Sequence, residues 1–554
     1  MFCVIHTGGF EGVYANPNLC RQQLFLYSIA SNLTNPTSPT IMAPILCDRC
    51  GDALAEGCDP LEELSRLDAL FEHLTLKRYI LKRKINQYHS PIIRQLPPDV
   101  MSTIFELCLP DFADFQFLPS KADLCVPLSL GAICSYWRDI AWSTPSLWSS
   151  LVIRVKRSKR NSHVIIAQEW LTRSGQLPLS IRILSSLYEP IPKSSRQEVS
   201  ALADIINPYS ARWSNFDLCM PRCFYQFFRA TNNHAPILKS IRFHCSSKYD
   251  AENFQLTCPR LERANLSLFR MDGTNIQWDN LTHLNLHNMS IIDSFLILCK
   301  TLRLVFCKIS YVRLHDGEPS VVILTSLRSL QLITSYFEEF LNNLITPHLE
   351  ELSLSRHYNL TMEVIASFLK RSACSLHSFS MIFIVSAYFE GFMSLLQLMP
   401  SLKTLSITSA DLFNAPGEYD PRNILQLVAK VLSSQSTTLQ QRLLPNLEVL
   451  EYSGKLRLRP GNYANLYPLP PVDNAVRGPF RLLELDLYGA TRIPKNIISY
   501  FLSLAERGVI VNVLCKSEDI LQSSIDYYRD REEFLSRDWV DDLDLSLMQE
   551  LSFD

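Results

Sequence analysis

The chain has 554 residues, 47% of them hydrophobic and 19% charged, with a formal net charge of −2. That length allows two or more domains, and the composition is that of a folded protein with ample apolar material for its cores. The balanced charge gives no global attraction to nucleic acid or to an anionic membrane surface, so neither is expected as a partner.

Sixteen cysteines are scattered along the chain. Cys134, Cys245, Cys299 and Cys307 sit in apolar runs, where free thiols serve as small core hydrophobes in a reducing compartment. No run reaches the ~20 apolar residues of a membrane helix. The N-terminus has no basic flank ahead of an apolar core, as a secretory signal would. The expected localisation is cytoplasmic, nuclear or both.

Residues 1–58 read as a poorly structured leader, with "TNPTSPTIMAP" rich in turn formers. Residues 59–90 predict one long amphipathic helix. Leu64, Leu67, Phe71, Leu74, Leu81, Ile85 and Tyr88 follow a 3-4 spacing that only Arg78 interrupts. The seam suits packing against the following module, or self-association as a coiled coil. Residues 91–151 hold two compact helical blocks, "LPPDVMSTIFELCLP" and "PLSLGAICSYWRDIAWSTPSLWSSLVI". Pro97 and Pro98 suit the first helical turn, where missing N–H groups cost little, and Asp99 favours the positive end of the helix dipole. Val100, Ile104 and Leu107 form a stripe with Phe105 beside it. So small a unit with apolar surface suggests a partner surface.

Residues 152–235 read as a connecting stretch with first irregular repeats. Across 236–515 one pattern recurs, L-x-x-L-x-L. It is clear in "PRLERANLSLF", "NLTHLNLHNM", "SLRSLQLI", "PHLEELSLSR", "SLKTLSIT", "PNLEVLEYSG" and "RLLELDLYGA", and weaker in "PILKSIRFHC", "KTLRLVFCKI" and "SLHSFSMIFI". The first leucines Leu238, Leu261, Leu281, Leu302, Leu327, Leu349, Leu376 and Leu402 lie 20 to 27 residues apart. That period and core pattern match the leucine-rich repeat. The L-x-L part forms a short strand, and segments such as "MEVIASFLKRS" form helices between strands. The expected fold class is therefore α/β: a helical N-terminal module followed by a solenoid with parallel strands on its concave face and helices on its convex face. Residues 516–554 read as an acidic tail.

Residues 91–151 resemble the F-box family, of the F-box-like type. Leu96, Pro97, Asp99, Ile104 and Phe105 match its opening. Leu130, Ile133, Cys134, Trp137, Arg138, Thr144, Pro145, Leu147 and Trp148 match its later L-x-x-(V/I)-C-x-x-W-R and T-P-x-L-W elements. This sequence departs from the pattern mildly, with Ile133 for the usual Val, Pro98-Asp99 for Pro-Glu, and a lengthened linker "DFADFQFLPSKADLCVP". F-box and leucine-rich repeats recur as a pair, and a long helix ahead of the F-box is common in fungal proteins of this kind. The resemblance implies a substrate-recognition subunit of a ubiquitin ligase. It would bind a Skp-type adaptor, and through it a cullin, by Leu96, Pro97, Val100, Ile104, Phe105, Leu130, Ile133 and Trp137. The repeats would hold an unknown substrate protein. The alternative is a repeat scaffold whose F-box-like block never meets an adaptor.

Side chains alternate along a strand, which marks Ser267, Asn285, Gln331, Ser353, Ser406 and Asp486 as exposed substrate-facing positions. They carry little net charge, so recognition by shape and hydrogen bonds is expected. Tyr463, Tyr467 and Phe480 are the candidate aromatic anchors from a projecting loop.

No catalytic role is expected. The phosphate-loop, nucleophile-elbow and zinc-protease motifs are all missing from the sequence. Cys47, Cys50 and Cys58 make half of a zinc motif where a tetrahedral site needs four ligands, so no metal and no cofactor is expected. "RVKRSKR" (154–160) reads as a solvated turn, and His163, His244 and His283 as structural.

Overall fold

The computed structural model describes residues 60–89, 95–110, 125–155, 162–185, 193–245, 254–313, 317, 319–355, 362–383, 385–409, 443–455, 480–488, 492–493 and 495–536. The chain divides into two compact units, Met1–Trp213 and Ser214–Asp554. It is mixed α/β with a large, mostly parallel sheet. Among the described residues no helix is long and apolar enough to cross a membrane.

The first unit contains α1 (Pro60–His89), α2 (Pro98–Leu107), α3 (Val126–Ile133), α4 (Ser135–Ser143), a 3-10 turn at Pro145–Trp148, β1 (Ser150–Val155), α5 (Ser162–Arg173), β2 (Leu179–Ser185) and α6 (Lys193–Ile206). Helix α2 starts on Pro98 with the Met101 N–H donating to the Pro97 carbonyl at 3.0 Å. It stops just ahead of Pro110, whose ring disfavours helix in the residue before it. Helix α4 is capped by an unusual residue: the Cys134 Sγ accepts from the Trp137 N–H at 3.4 Å. That contact gives Cys134 a local role, while the Trp137 side chain packs on Phe105.

Aromatic packing organises this unit. Phe105 lies 5.0 Å from Trp137, and Trp148 lies 5.3 Å from Trp142 and 4.8 Å from Trp170 between ring centroids. The Trp148 Nε1 donates to the Ala141 carbonyl at 2.7 Å, and the Trp170 Nε1 donates to the Ser150 carbonyl at 2.9 Å. The Arg173 guanidinium stands 4.9 Å from both the Trp142 and the Trp148 rings. Because Trp170 and Arg173 come from α5, the unit extends beyond residue 151 and closes at Trp213. Strands β1 and β2 pair in parallel across α5, Leu151 with Ile181 and Ile153 with Ile183.

The second unit opens with β3 (Trp213–Cys219), followed by β4 (Ser240–His244), β5 (Phe254–Leu256), β6 (Arg263–Ser267), β7 (Thr274–Ile276), β8 (His283–His287), α7 (Ile291–Leu298), β9 (Phe306–Ser310), β10 (Val322–Ile323), β11 (Ser329–Ile333), α8 (Phe337–Asn343), β12 (Leu344–Ile345), β13 (Glu351–Ser355), α9 (Met362–Ser372), β14 (Ser378–Phe383), α10 (Val385–Leu396), β15 (Thr404–Ser409), β16 (Val449–Lys455), β17 (Leu482–Tyr488), α11 (Lys495–Ala505), β18 (Ile510–Cys515), β19 (Glu518–Asp519) and α12 (Ile520–Ser536). The main sheet runs β3-β4-β6-β8-β9-β11-β13-β14-β15-β16-β17-β18-β19, parallel except for the last pair. Strands β5 with β7, and β10 with β12, form small parallel ladders of their own.

Each copy of the repeated motif supplies one strand of the main sheet, and its apolar positions are buried: Leu281, Leu284 and Leu286 in one copy, Leu349, Leu352 and Leu354 in another. A run of hydrogen bonds ties successive turns together. The Thr282 and His283 N–H groups both donate to the Glu262 carbonyl, those of Val305 and Phe306 to Thr282, and those of Arg328 and Ser329 to Val305. The same pairing continues through Glu350, His377, Lys403, Glu448 and Arg481. Leu268, Asn288 and Tyr311, each directly after its strand, have φ of 55°, 53° and 53°. Their N–H groups donate to the carbonyls of His287, Ser310 and Ile333, all on the next strand.

Four expectations are corrected here. In "KTLRLVFCKI" the closing leucine is Leu304, fully buried, whereas Leu302 is exposed. The frame shifts because Cys307 takes a leucine slot and so hides the motif. Parallel strands precede residue 236, β1 and β2 in the first unit and β3 at the start of the second, in segments that lack the full leucine pattern. Residues 516–536 form β19 and α12, so the tail starts later than 516. Cys299 is exposed and Cys134 is a half-buried cap, while Cys245 and Cys307 are buried thiols whose pKa values burial pushes up to about 11 and about 12.

Gly131 marks the tightest contact between α3 and α4. A Cβ placed there would lie 1.9 Å from the Trp142 Cζ3. Gly131→Ala is therefore expected to destabilise the first unit by roughly 1–3 kcal/mol despite the better helix propensity of alanine. Urea unfolding followed by tryptophan fluorescence checks this.

Candidate protein-interaction surfaces

The first surface lies on α2, a ten-residue helix with two apolar faces. Met101 and Phe105, one turn apart, are buried at 1% and 0% exposure. Val100, Ile104 and Leu107 follow the same helical spacing on another face and are exposed, Leu107 at 82%. Ile133, the last residue of α3, is exposed too, while Leu96, Leu130 and Trp137 are half-buried and Pro97 is exposed. Phe105 is thus a core residue packed on Trp137, and no contact surface remains on it. Sequence spacing alone could not separate the two faces, because both read as apolar at period 3-4.

Hydroxyl contacts fix α2 against the segment after α4. Ser102 Oγ and Thr144 Oγ1 lie 3.0 Å apart, Thr144 Oγ1 donates to the Ile140 carbonyl at 2.7 Å, and the Ser146 hydroxyl donates to the Glu106 carboxylate. The T-P-x-L-W element therefore positions the helix whose outer face stays exposed.

The second surface is the face of the main sheet opposite the buried leucines. Strand register lines up its side chains in rows, with neighbours about 4.8 Å apart. Asn285, Gln331, Ser353 and Ser406 share one row, with Lys308 between Asn285 and Gln331 and Ser380 between Ser353 and Ser406. The row extends one way to Asn265, Arg242 and Asp217, and the other way to Glu451, Glu484 and Asn512. Ser267 and Asp486 belong to the next row along, two residues further on their strands. Ser267 is buried, at 5% exposure. Phe480 is half-buried.

Register also sets charged neighbours beside these six positions, separated by sign along the sheet. One part of the sheet carries Arg242 and Lys308 with His244 and His287 beside them; the other carries Glu451, Glu484 and Asp486. Arg242 is matched by Asp217 at 3.6 Å. Such a face offers Lys308 to an acidic group and the three carboxylates to a basic one. The cue lay in β16 and β17, whose x positions read E and E-x-D, yet only register shows them side by side.

Three polar atoms on this face, Ser267 Oγ, Asn285 Oδ1 and Asp486 Oδ1, are screened from solvent and have no hydrogen-bond partner among the described residues. His287 Nδ1 shares a hydrogen bond with Ser310 Oγ at 3.0 Å, and its ring meets Tyr311 edge-on at 5.0 Å. Burial lowers the pKa values of His244 and His287; the neighbouring His287 adds to the effect on His244, and Lys308 to that on His287.

Cys47, Cys50, Cys58, residues 156–160, Tyr463, Tyr467 and the 539–554 stretch lie outside the described residues. Among the described residues no group of three or more His, Cys, Asp or Glu side chains could hold a metal ion. No family model and no curated protein matches the chain.

Two outcomes follow from this geometry. Phe105→Ala is expected to cost about 3–5 kcal/mol, as deletion of a buried ring does. Ile104→Asp with Leu107→Asp should change stability by no more than about 0.5 kcal/mol per site, as at exposed positions. Urea unfolding midpoints of the variants check both.

His244 and His287 also set a pH dependence. Their folded pKa values lie below the unfolded value of about 6.5, so the unfolded chain binds their protons first. Their contribution to stability is fully present above about pH 6.5 and is lost as pH falls through the lower folded values. In a thermal melt series from pH 8 to pH 5, replacing both with Asn should flatten the acid-side decline.

Proposed function

We propose that this chain is the substrate-recognition subunit of a ubiquitin ligase, bound to a Skp-type adaptor and through it to a cullin. In this reading the first unit carries an F-box-like module and the second a leucine-rich-repeat solenoid that holds the substrate protein. The observation that carries it is the outer face of α2. Val100, Ile104 and Leu107 are exposed on a helix that already spends Met101 and Phe105 on its core. A small module gains nothing in stability from that outer stripe, whereas a partner helix or groove would cover it.

The order of the matching motifs around α2, α3 and α4 supports the same reading, as does one parallel strand per leucine copy in the second unit. The chain's part would be positioning: it holds a substrate lysine near the charged conjugating enzyme and makes no bond itself. Recognition falls to the row that runs from Lys308 through Ser353 to Glu484. A cytoplasmic or nuclear site of action goes with it.

The test uses purified full-length chain and a recombinant Skp-type adaptor. The unaltered chain should co-elute with the adaptor, and the Ile104→Asp/Leu107→Asp variant should lose at least tenfold in affinity while melting unchanged, because a charge is forced into the contact. Lys308→Glu combined with Glu484→Lys should keep the adaptor and change the set of proteins marked by proximity labelling. An unaltered chain that fails to bind the adaptor, or a variant that binds it undiminished, overturns the ligase reading.

A further inference from the structure

Helix α1 presents its 3-4 seam to solvent. Leu64, Leu67, Phe71, Leu74, Leu81 and Ile85 are all exposed, Phe71 at 66%. The expectation that this seam packs on the module behind it is therefore not met. From Leu64 to Ile85 the seam runs about 32 Å along the helix at 1.5 Å per residue.

Charge is segregated along the same helix. Before His73 lie Glu62, Glu63, Asp68 and Glu72, with Arg66 as the single cation; after it come Lys77, Arg78, Lys82, Arg83 and Lys84, with no carboxylate. Glu63 also pairs with Arg66 at 3.0 Å on its own helix. The acidic half is the complement of the basic half. We infer that α1 pairs antiparallel with α1 of a second copy of this chain, forming a two-stranded coil along this seam.

Written as heptads, Leu64, Phe71, Arg78 and Ile85 take one seam position, and Leu67, Leu74 and Leu81 the other. A parallel pair would set Arg78 against Arg78, and flank the seam with Glu63 against Asp68 and Lys77 against Lys82. Every one of those meetings is a like-charge contact. An antiparallel pair crossing between Phe71 and Leu74 sets Arg78 over Leu67, so that its stem covers apolar surface while its head reaches water. It also brings Glu63 of one copy to Lys84 of the other. The pairing rests on the helix alone and stands or falls apart from the ligase reading.

The test is sedimentation of the full-length chain over a series of rising concentrations. The expected species has twice the 63.5 kDa chain mass. Leu67→Asp/Leu74→Asp should restore the monomer without moving the melting temperature, and Arg78→Leu should tighten the dimer at least tenfold. Zero-length carboxyl–amine cross-linking of a mixed light- and heavy-isotope sample should join Glu63 of one copy to Lys84 of the other. In a parallel pair these lie about 32 Å apart, beyond reach. A monomer throughout the range, a dimer indifferent to the two Asp substitutions, or no such hybrid link overturns the inference.

Discussion

A five-residue strand with two inward leucines cannot bury them alone, and the second unit follows from that constraint. Leu284 and Leu286 are covered only because neighbouring strands lay Ala264 with Leu266 on one side and Cys307 with Ile309 on the other, in register. Slipping one strand by a residue would turn both leucines to the opposite face. The doubled hydrogen bonds at successive turns hold against that slip. In register, the positions between the leucines also fall into line, so a surface row is a by-product of core packing. Sequence can vary along that row without disturbing the stack.

The first unit solves a different problem. Helices α2, α3 and α4 are too short to be stable singly, and they are joined by a cluster of tryptophans in which the Trp148 and Trp170 N–H groups each donate to a backbone carbonyl. Gly131 lets two helices approach closely enough for Trp142 to sit between them and Arg173. Rigidity bought in this way leaves α2 with a fixed outer face. A fixed apolar face loses little entropy when a partner covers it.

Much of this was legible in the sequence. The ten leucine copies mark ten strands because each spacing reflects one physical turn-and-strand unit, and the seam of α1 reads directly as 3-4 spacing. Elsewhere the reading slipped for identifiable reasons. Cys307 and Phe480 stand where leucines are expected, which moved the frame at Leu302 and at Asp486. Strand β3 escaped because "WSNFDLC" lacks the closing leucine. Phe105 could not be told from Ile104, since adjacent helical positions differ in face only once the core is known. The opposed charges of Lys308 and Glu484 are far apart in sequence and meet one row only through register.

Among the described residues, Ser267 Oγ, Asn285 Oδ1 and Asp486 Oδ1 on the sheet face have no hydrogen-bond partner. A buried donor or acceptor left without a partner costs about 1–3 kcal/mol. The scaffold does not require polar groups there. In the row of Ser267 and Asp486, other strands place Ile333, Ile382 and Leu514 at equivalent positions. An apolar side chain fits that row without penalty, so the scaffold itself does not call for a polar group at Ser267 or Asp486. A cost of that kind is offset where the free chain is not the final state. In the proposed substrate-binding role, a docked partner would donate to Asn285 Oδ1 and Asp486 Oδ1, and only one whose donors match their spacing along the sheet could do so.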